Sequence, residues 1–145
     1  MLLSLRPEAM ILGKTLAGAA AFAQYHVPHY ADAVANPPPL IVNVWGGSID
    51  EYAETAAVLS TPGAGSDKSV HPLVAAIEMN VSCPNVKAGG HTFGQDPKIL
   101  FEVVKAVRAA TKLPLFVKLA PNVPDLRPYV AACEEAGADA LSLIN

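Results

Sequence analysis

Four short apolar runs punctuate the chain: Leu40–Val44, Ala75–Val81, Leu115–Leu119 and Ala140–Ile144. Each is nearly all apolar, the pattern of parallel strands covered on both faces. Helical periods lie between them. Ser48-Ile49-Asp50-Glu51 reads as a capping box, in which the Ser hydroxyl accepts from the first-turn N–H groups and Glu51 reaches back. Ile49, Tyr52, Ala53 and Ala56 follow at helical spacing. Asp96-Pro97 opens a second helix, with Asp as cap and Pro at the first helical position, and its buried stripe is Leu100, Val103, Val104 and Val107. Asp125 starts a third helix, which Gly137 ends. Upstream, residues 16–34 read as another helix, closed by Asn36-Pro37-Pro38-Pro39. Helices alternating with strands predict an α/β fold, and right-handed crossovers make its sheet parallel.

The stretch from Thr61 to Val70 is rich in Gly, Ser and Pro and reads as a surface loop. Within it, Gly63-Ala64-Gly65 has no third glycine and does not directly follow a strand, so a doubly wound nucleotide-binding domain lacks its fingerprint here. Gly13-Lys14-Thr15 resembles the end of a phosphate-binding loop, but the position that should hold its first glycine is Glu8.

Composition narrows the class. Of 145 residues, 52% are hydrophobic and 16% charged, which suits one core-rich domain or a large piece of one. A net charge of −3 argues against a basic face for nucleic acid. No apolar run approaches the roughly 18–20 residues of a spanning helix. The small apolar stretch from Leu16 to Ala23 is too short, and too interrupted upstream by Pro7 and Glu8, for a secretory signal. The two cysteines, Cys83 and Cys133, are far apart and form no CxxC pair, so a zinc site is not expected and a reduced, cytoplasmic setting is.

Polar residues recur at the strand ends. Asn43, Asn80, Lys118 and Asn145 stand near the close of the four apolar runs. A single Asn there commonly caps its own loop, and a single Lys snorkels to water. Recurrence in all four runs argues instead for a shared polar, planar ligand, because parallel α/β folds bind ligands outside the carboxyl ends of their strands. Just after the second run comes Cys83, flanked by Ser82, Pro84 and Asn85, with Gly89 and Gly90 following. A cysteine is more often an inert buried hydrophobe. Cys133, on the apolar face of a helix, fits that description; Cys83, in a polar loop, does not.

The segment Asn80-Val81-Ser82-Cys83-Pro84-Asn85-Val86-Lys87, with Gly89-Gly90, Phe93-Gly94 and Asp96-Pro97 after it, resembles the class 1 dihydroorotate dehydrogenases, and its Val-Lys-x-Gly-Gly form the 1B subgroup. Ile41-Val42-Asn43-Val44 with Gly46, Val117-Lys118-Leu119 with Pro121-Asn122, and Ala136-Gly137-Ala138-Asp139 leading into Leu143-Ile144-Asn145 agree with it. The resemblance covers residues 40–145 well and residues 1–39 loosely. It implies an FMN-containing (β/α)8 TIM barrel that oxidises dihydroorotate to orotate in pyrimidine (UMP) biosynthesis. By position, Cys83 matches the general base that removes the substrate's C5 proton. Asn43, Asn80, Lys118 and Ile144 match flavin contacts, and Asn80 and Asn145 match substrate contacts. The subgroup implies an electron-transfer partner carrying FAD and an iron–sulfur cluster, and the family implies a homodimer.

The residue types suit that chemistry. A thiol with an ordinary pKa of about 8.5 is a usable base once its neighbours favour the thiolate. A lysine beside the flavin stabilises negative charge on the reduced ring. Asparagines offer both donor and acceptor to imide edges. A complete barrel takes about 250 residues and draws its phosphate site from the loops after strands seven and eight. With four strands in view, residues 1–145 are expected to be a single partial barrel, a fragment with little or no FMN of its own. Two other readings stay open: a flavin barrel like the pyrimidine-reducing domain of dihydropyrimidine dehydrogenase, and a degenerate, non-catalytic fragment.

Overall fold

The computed structural model describes residues 40–60, 74–82, 87–88 and 91–143. Along them run β1 (Leu40–Val44), α1 (Ile49–Ser60), β2 (Val74–Asn80), β3 (Lys87–Ala88), β4 (His91–Thr92), α2 (Pro97–Ala110), β5 (Leu115–Leu119), α3 (Arg127–Glu135) and β6 (Ala140–Leu143). The helix expected at residues 16–34 and the loop expected at 61–70 lie outside the described residues.

The main sheet has four strands in the order β1-β2-β5-β6, and every neighbouring pair is parallel. The order never reverses, and α1 packs on α2 as α2 packs on α3. Helices that neighbour one another in series lie on one side of the sheet. That is the winding of a partial (β/α)8 barrel; a doubly wound sheet would reverse its order and split its helices between two faces.

Burial alternates along β1 and β5, so only one face of each is fully covered. Leu40, Val42, Val44, Ile77, Met79, Leu115, Val117 and Leu119 meet the helices, whose share of the core is Tyr52, Ala56, Leu59, Leu100, Val103, Val104, Val107 and Cys133. The opposite face carries Ile41, Asn43, Glu78, Asn80, Phe116, Lys118 and Ser142 and is exposed or half-buried. The expectation of strands covered on both faces is thus corrected. In a closed barrel that second face would be the interior, and the four described strands do not close one. On the helix side, Leu141 and Leu143 of β6 remain 37% and 65% exposed, with no described helix over them.

Local signals explain the helices. Asp96 accepts from the Lys98 N–H at 2.8 Å and Pro97 occupies the first turn, so α2 begins where a capped start was read. Its four buried residues are the four of the expected stripe. Ser48 Oγ accepts from Glu51 N at 3.1 Å as a cap should, but the Glu51 carboxylate turns one residue further back, to Gly47 N at 2.6 Å. Asp125 accepts from Arg127 N at 3.0 Å ahead of α3, and Gly137, at φ 94°, turns the chain out of it.

Two boundaries differ from the sequence reading. β2 runs one residue earlier than Ala75–Val81, and the β1–β2 register slips between Leu40 and Ile41, which pair with Val74 and Ala76. Lys87–Ala88 and His91–Thr92 pair antiparallel in a segment read as loop. Two-residue strands leave no alternation to detect, although the Gly-Gly between them is a hairpin signal.

Candidate active site

The carboxyl end of β2 is held by polar contacts and lies beside that of β5. Asn80 pairs in register with Lys118, and Lys118 with Ser142, so all three share one face at the ends of adjacent strands. Asn43 pairs with Glu78, two residues before Asn80 on that same face. Asn43, Asn80 and Lys118 are therefore gathered at one end of the sheet.

Each amide is oriented by its partner. Asn80 Oδ1 accepts from Ser82 N at 3.2 Å and from Ser82 Oγ at 2.5 Å, a local turn at the end of β2. A backbone N–H can only donate, so Asn80 must offer it oxygen, which leaves Nδ2 pointing elsewhere. Asn43 donates Nδ2 to Glu78 Oε1 at 2.5 Å. A carboxylate can only accept, so Asn43 keeps Oδ1 for another donor. Among the described residues, the Lys118 ammonium has no hydrogen-bond or ion-pair partner. The face thus offers one acceptor, one donor and one cation.

The helix side braces this edge. The Tyr52 hydroxyl donates to Asn80 O at 2.7 Å, and its ring meets Phe93 edge-on at 5.4 Å between centroids. Both rings are almost fully buried. Gly94 lies so close to Val81 that a Cβ there would stand 2.5 Å from the Val81 carbonyl oxygen.

Comparison with known proteins names this architecture. A family profile described as dihydroorotate dehydrogenase matches residues 11–145. The chain belongs to the dihydroorotate dehydrogenase family. It is 48% identical over 134 residues to the catalytic subunit of dihydroorotate dehydrogenase B (NAD(+)) of Geobacter sulfurreducens, covering 92% of this chain and 40% of that protein. The corresponding subunit of Trichlorobacter lovleyi is 47% identical over the same shares. Dihydroorotate dehydrogenase A (fumarate) of Lacticaseibacillus paracasei is 48% identical over 107 residues, 74% of this chain and 34% of that protein. The chain thus spans 40% or less of the length of these dihydroorotate dehydrogenases.

Of the residues the family resemblance singled out, Asn43, Asn80 and Lys118 converge on one sheet face. Cys83, Ile144 and Asn145 lie outside the described residues. Cys133, read as inert, is fully buried, and burial pushes its thiol up to about 12. Sequence reasoning missed Glu78 and Ser142, which join each other at 2.9 Å beside Asn43. Glu78 gave a signal: a carboxylate inside an apolar strand, two residues before a singled-out Asn, must share its face. Ser142, small and polar, gave none.

Proposed function

We propose that residues 40–145 supply part of the active site of an FMN-dependent dihydroorotate dehydrogenase that converts dihydroorotate to orotate in pyrimidine (UMP) biosynthesis. The observation that carries this reading is the shared face of Asn43, Asn80 and Lys118 at the carboxyl ends of parallel strands, with their spare polar groups unclaimed among the described residues. Those groups fit a flavin: acceptor, donor and cation suit the alternating donors and acceptors of its imide edge. When bound, FMN supplies the hydride acceptor. Asn43, Asn80, Lys118 and Ile144 hold it, and Asn80 and Asn145 orient the substrate. Cys83, next in sequence after Ser82, takes the proton from the substrate carbon. Lys118 contributes positive charge where the reduced cofactor gains negative charge.

Completion of the barrel belongs to this proposal. Further strands would enclose the open face, and a helix after β6 would cover Leu141 and Leu143. The 145-residue chain by itself holds little or no FMN on this reading. The names of the Geobacter and Trichlorobacter relatives, as catalytic subunits of a B-type enzyme, support a further, electron-transfer subunit. We assign FAD and an iron–sulfur cluster to that partner on the family resemblance alone. We assign the complete protein to the cytoplasm, as a homodimer of the catalytic subunit.

The test is a chimera in which this chain replaces the matching segment of the Geobacter sulfurreducens subunit. The expected product is yellow and is reduced by dihydroorotate. Cys83→Ala in it keeps the flavin colour and loses reduction by roughly 10²-fold or more, the usual scale for removing a general base. A chimera that folds without flavin refutes the reading of the site, and unchanged reduction in Cys83→Ala refutes the role of the thiol.

A further inference from the structure

We infer that Glu78 is a positioning residue that fixes which edge of Asn43 the ligand meets. Its two carboxylate oxygens are used in opposite directions: Oε1 accepts from Asn43 Nδ2 on β1 at 2.5 Å, and Oε2 accepts from Ser142 Oγ on β6 at 2.9 Å. Glu78 lies on β2, and β5 stands between β2 and β6. The side chain therefore spans the open face across β5, tying the two outer strands of the sheet to one carboxylate. It is half-buried, and no described cation pairs with it.

An acid in this position costs desolvation and adds no apolar packing. What it contributes is polarity that cannot be reversed. An amide partner could meet Asn43 with either edge, whereas a carboxylate accepts only and admits one orientation. Asn43 then presents Oδ1 at the strand ends, and its ligand must bring a donor. Ser142, by holding the second oxygen, keeps the carboxylate from turning away. The link to flavin binding rests on the reading proposed above; the clamp on Asn43 does not.

The test uses Glu78→Gln, which keeps the size and removes the acceptor-only character, in the chimera with the Geobacter sulfurreducens subunit. Flavin affinity is expected to fall roughly tenfold, as for a lost hydrogen bond to a charged group. Asn43→Ala should weaken it to a similar degree, and the double variant no further, because the two residues act as one unit. Exchange of the Asn43 side-chain amide protons with water, followed by NMR on flavin-free protein, should quicken in Glu78→Gln. Ser142→Ala, which leaves the carboxylate in place, should give both effects in weaker form and serves if Glu78→Gln does not fold. Unchanged affinity, or losses that add fully in the double variant, overturn the inference. So does Asn43 exchange that is indifferent to both substitutions. A parent chimera that takes up no flavin sinks the proposed function instead, and the exchange measurement still decides the clamp.

Discussion

Gly94→Ala places a methyl group where the fold has room for none. The new Cβ would stand 2.5 Å from the Val81 carbonyl oxygen and 3.3 Å from its carbonyl carbon. The obstacle is main chain, so no side-chain rotation relieves it. Either the end of β2 or the segment from Phe93 must move, and Phe93 is wedged against Tyr52, which in turn holds Asn80 O. Overpacking of this kind costs roughly 1–3 kcal/mol. For a chain of this size that lowers the melting temperature by roughly 2–12 °C. Gly47→Ala is the matched control. Its Cβ would meet Glu51 Oε2 at 3.2 Å, the far end of an exposed side chain that need give by only a few tenths of an ångström and can keep its bond to Gly47 N. That variant should melt within about 1–2 °C of the parent, as for an ordinary surface change of about 0.5 kcal/mol. Calorimetric melting of the two variants beside the parent decides the matter. If Gly94→Ala melts no lower than Gly47→Ala, the close approach of Gly94 to Val81 does not constrain the fold.

Tyr52→Phe keeps the ring against Phe93 and deletes the hydroxyl that donates to Asn80 O at 2.7 Å, so urea unfolding should show a loss of about 1–1.5 kcal/mol; an unchanged midpoint would mean that the bond does not brace the end of β2. Cys133, with its thiol pushed up to about 12 by burial, should resist alkylation in the native chain and react at once on unfolding. Because its folded pKa is raised, the stability carried by the neutral thiol is complete below the ordinary value of 9.0 and is lost as pH rises from there to about 12. Stability should fall by about 1.4 kcal/mol per pH unit in that window, and a Cys133→Ala variant with the same alkaline slope would assign the loss to other groups.

The legible parts of this fold were those whose signal is local and repeated. The stripe of α2 recurs over 14 residues and starts at an Asp-Pro cap, so all four buried positions could be named from periodicity alone. β1 and β5 matched their apolar runs because a proline, Pro39 or Pro114, precedes each and Gly46 or Pro121 follows within two residues. β2 came out one residue off because Val81 is apolar yet lies past the ladder, buried without being paired in it. The reach of Glu78 to Ser142, 64 residues away, was beyond any local reading, since it depends on sheet order and register. The placement of Asn43 beside Glu78 depends on the slip at Leu40/Ile41, which no sequence pattern announced.

The two faces of the sheet differ in what specifies them, and so in what they reveal. The helix face is set by apolar area, which many sequences could provide, and it reports only that the chain is α/β. The open face is set by complementarity between particular donors and acceptors. Strand parity is the step that separates the two. Asn43, Glu78, Asn80 and Lys118 fall on one face because each stands an even number of positions from a neighbour, or opposite one in register. An apolar strand read as a single run hides that division; read by alternate positions, β2 splits into Ile77 and Met79 for the core and Glu78 and Asn80 for the polar face. The carboxylate is the sharper clue of the last two. Asn80 could have been a turn residue, whereas a glutamate inside a strand is no turn former and marks the face it stands on as polar.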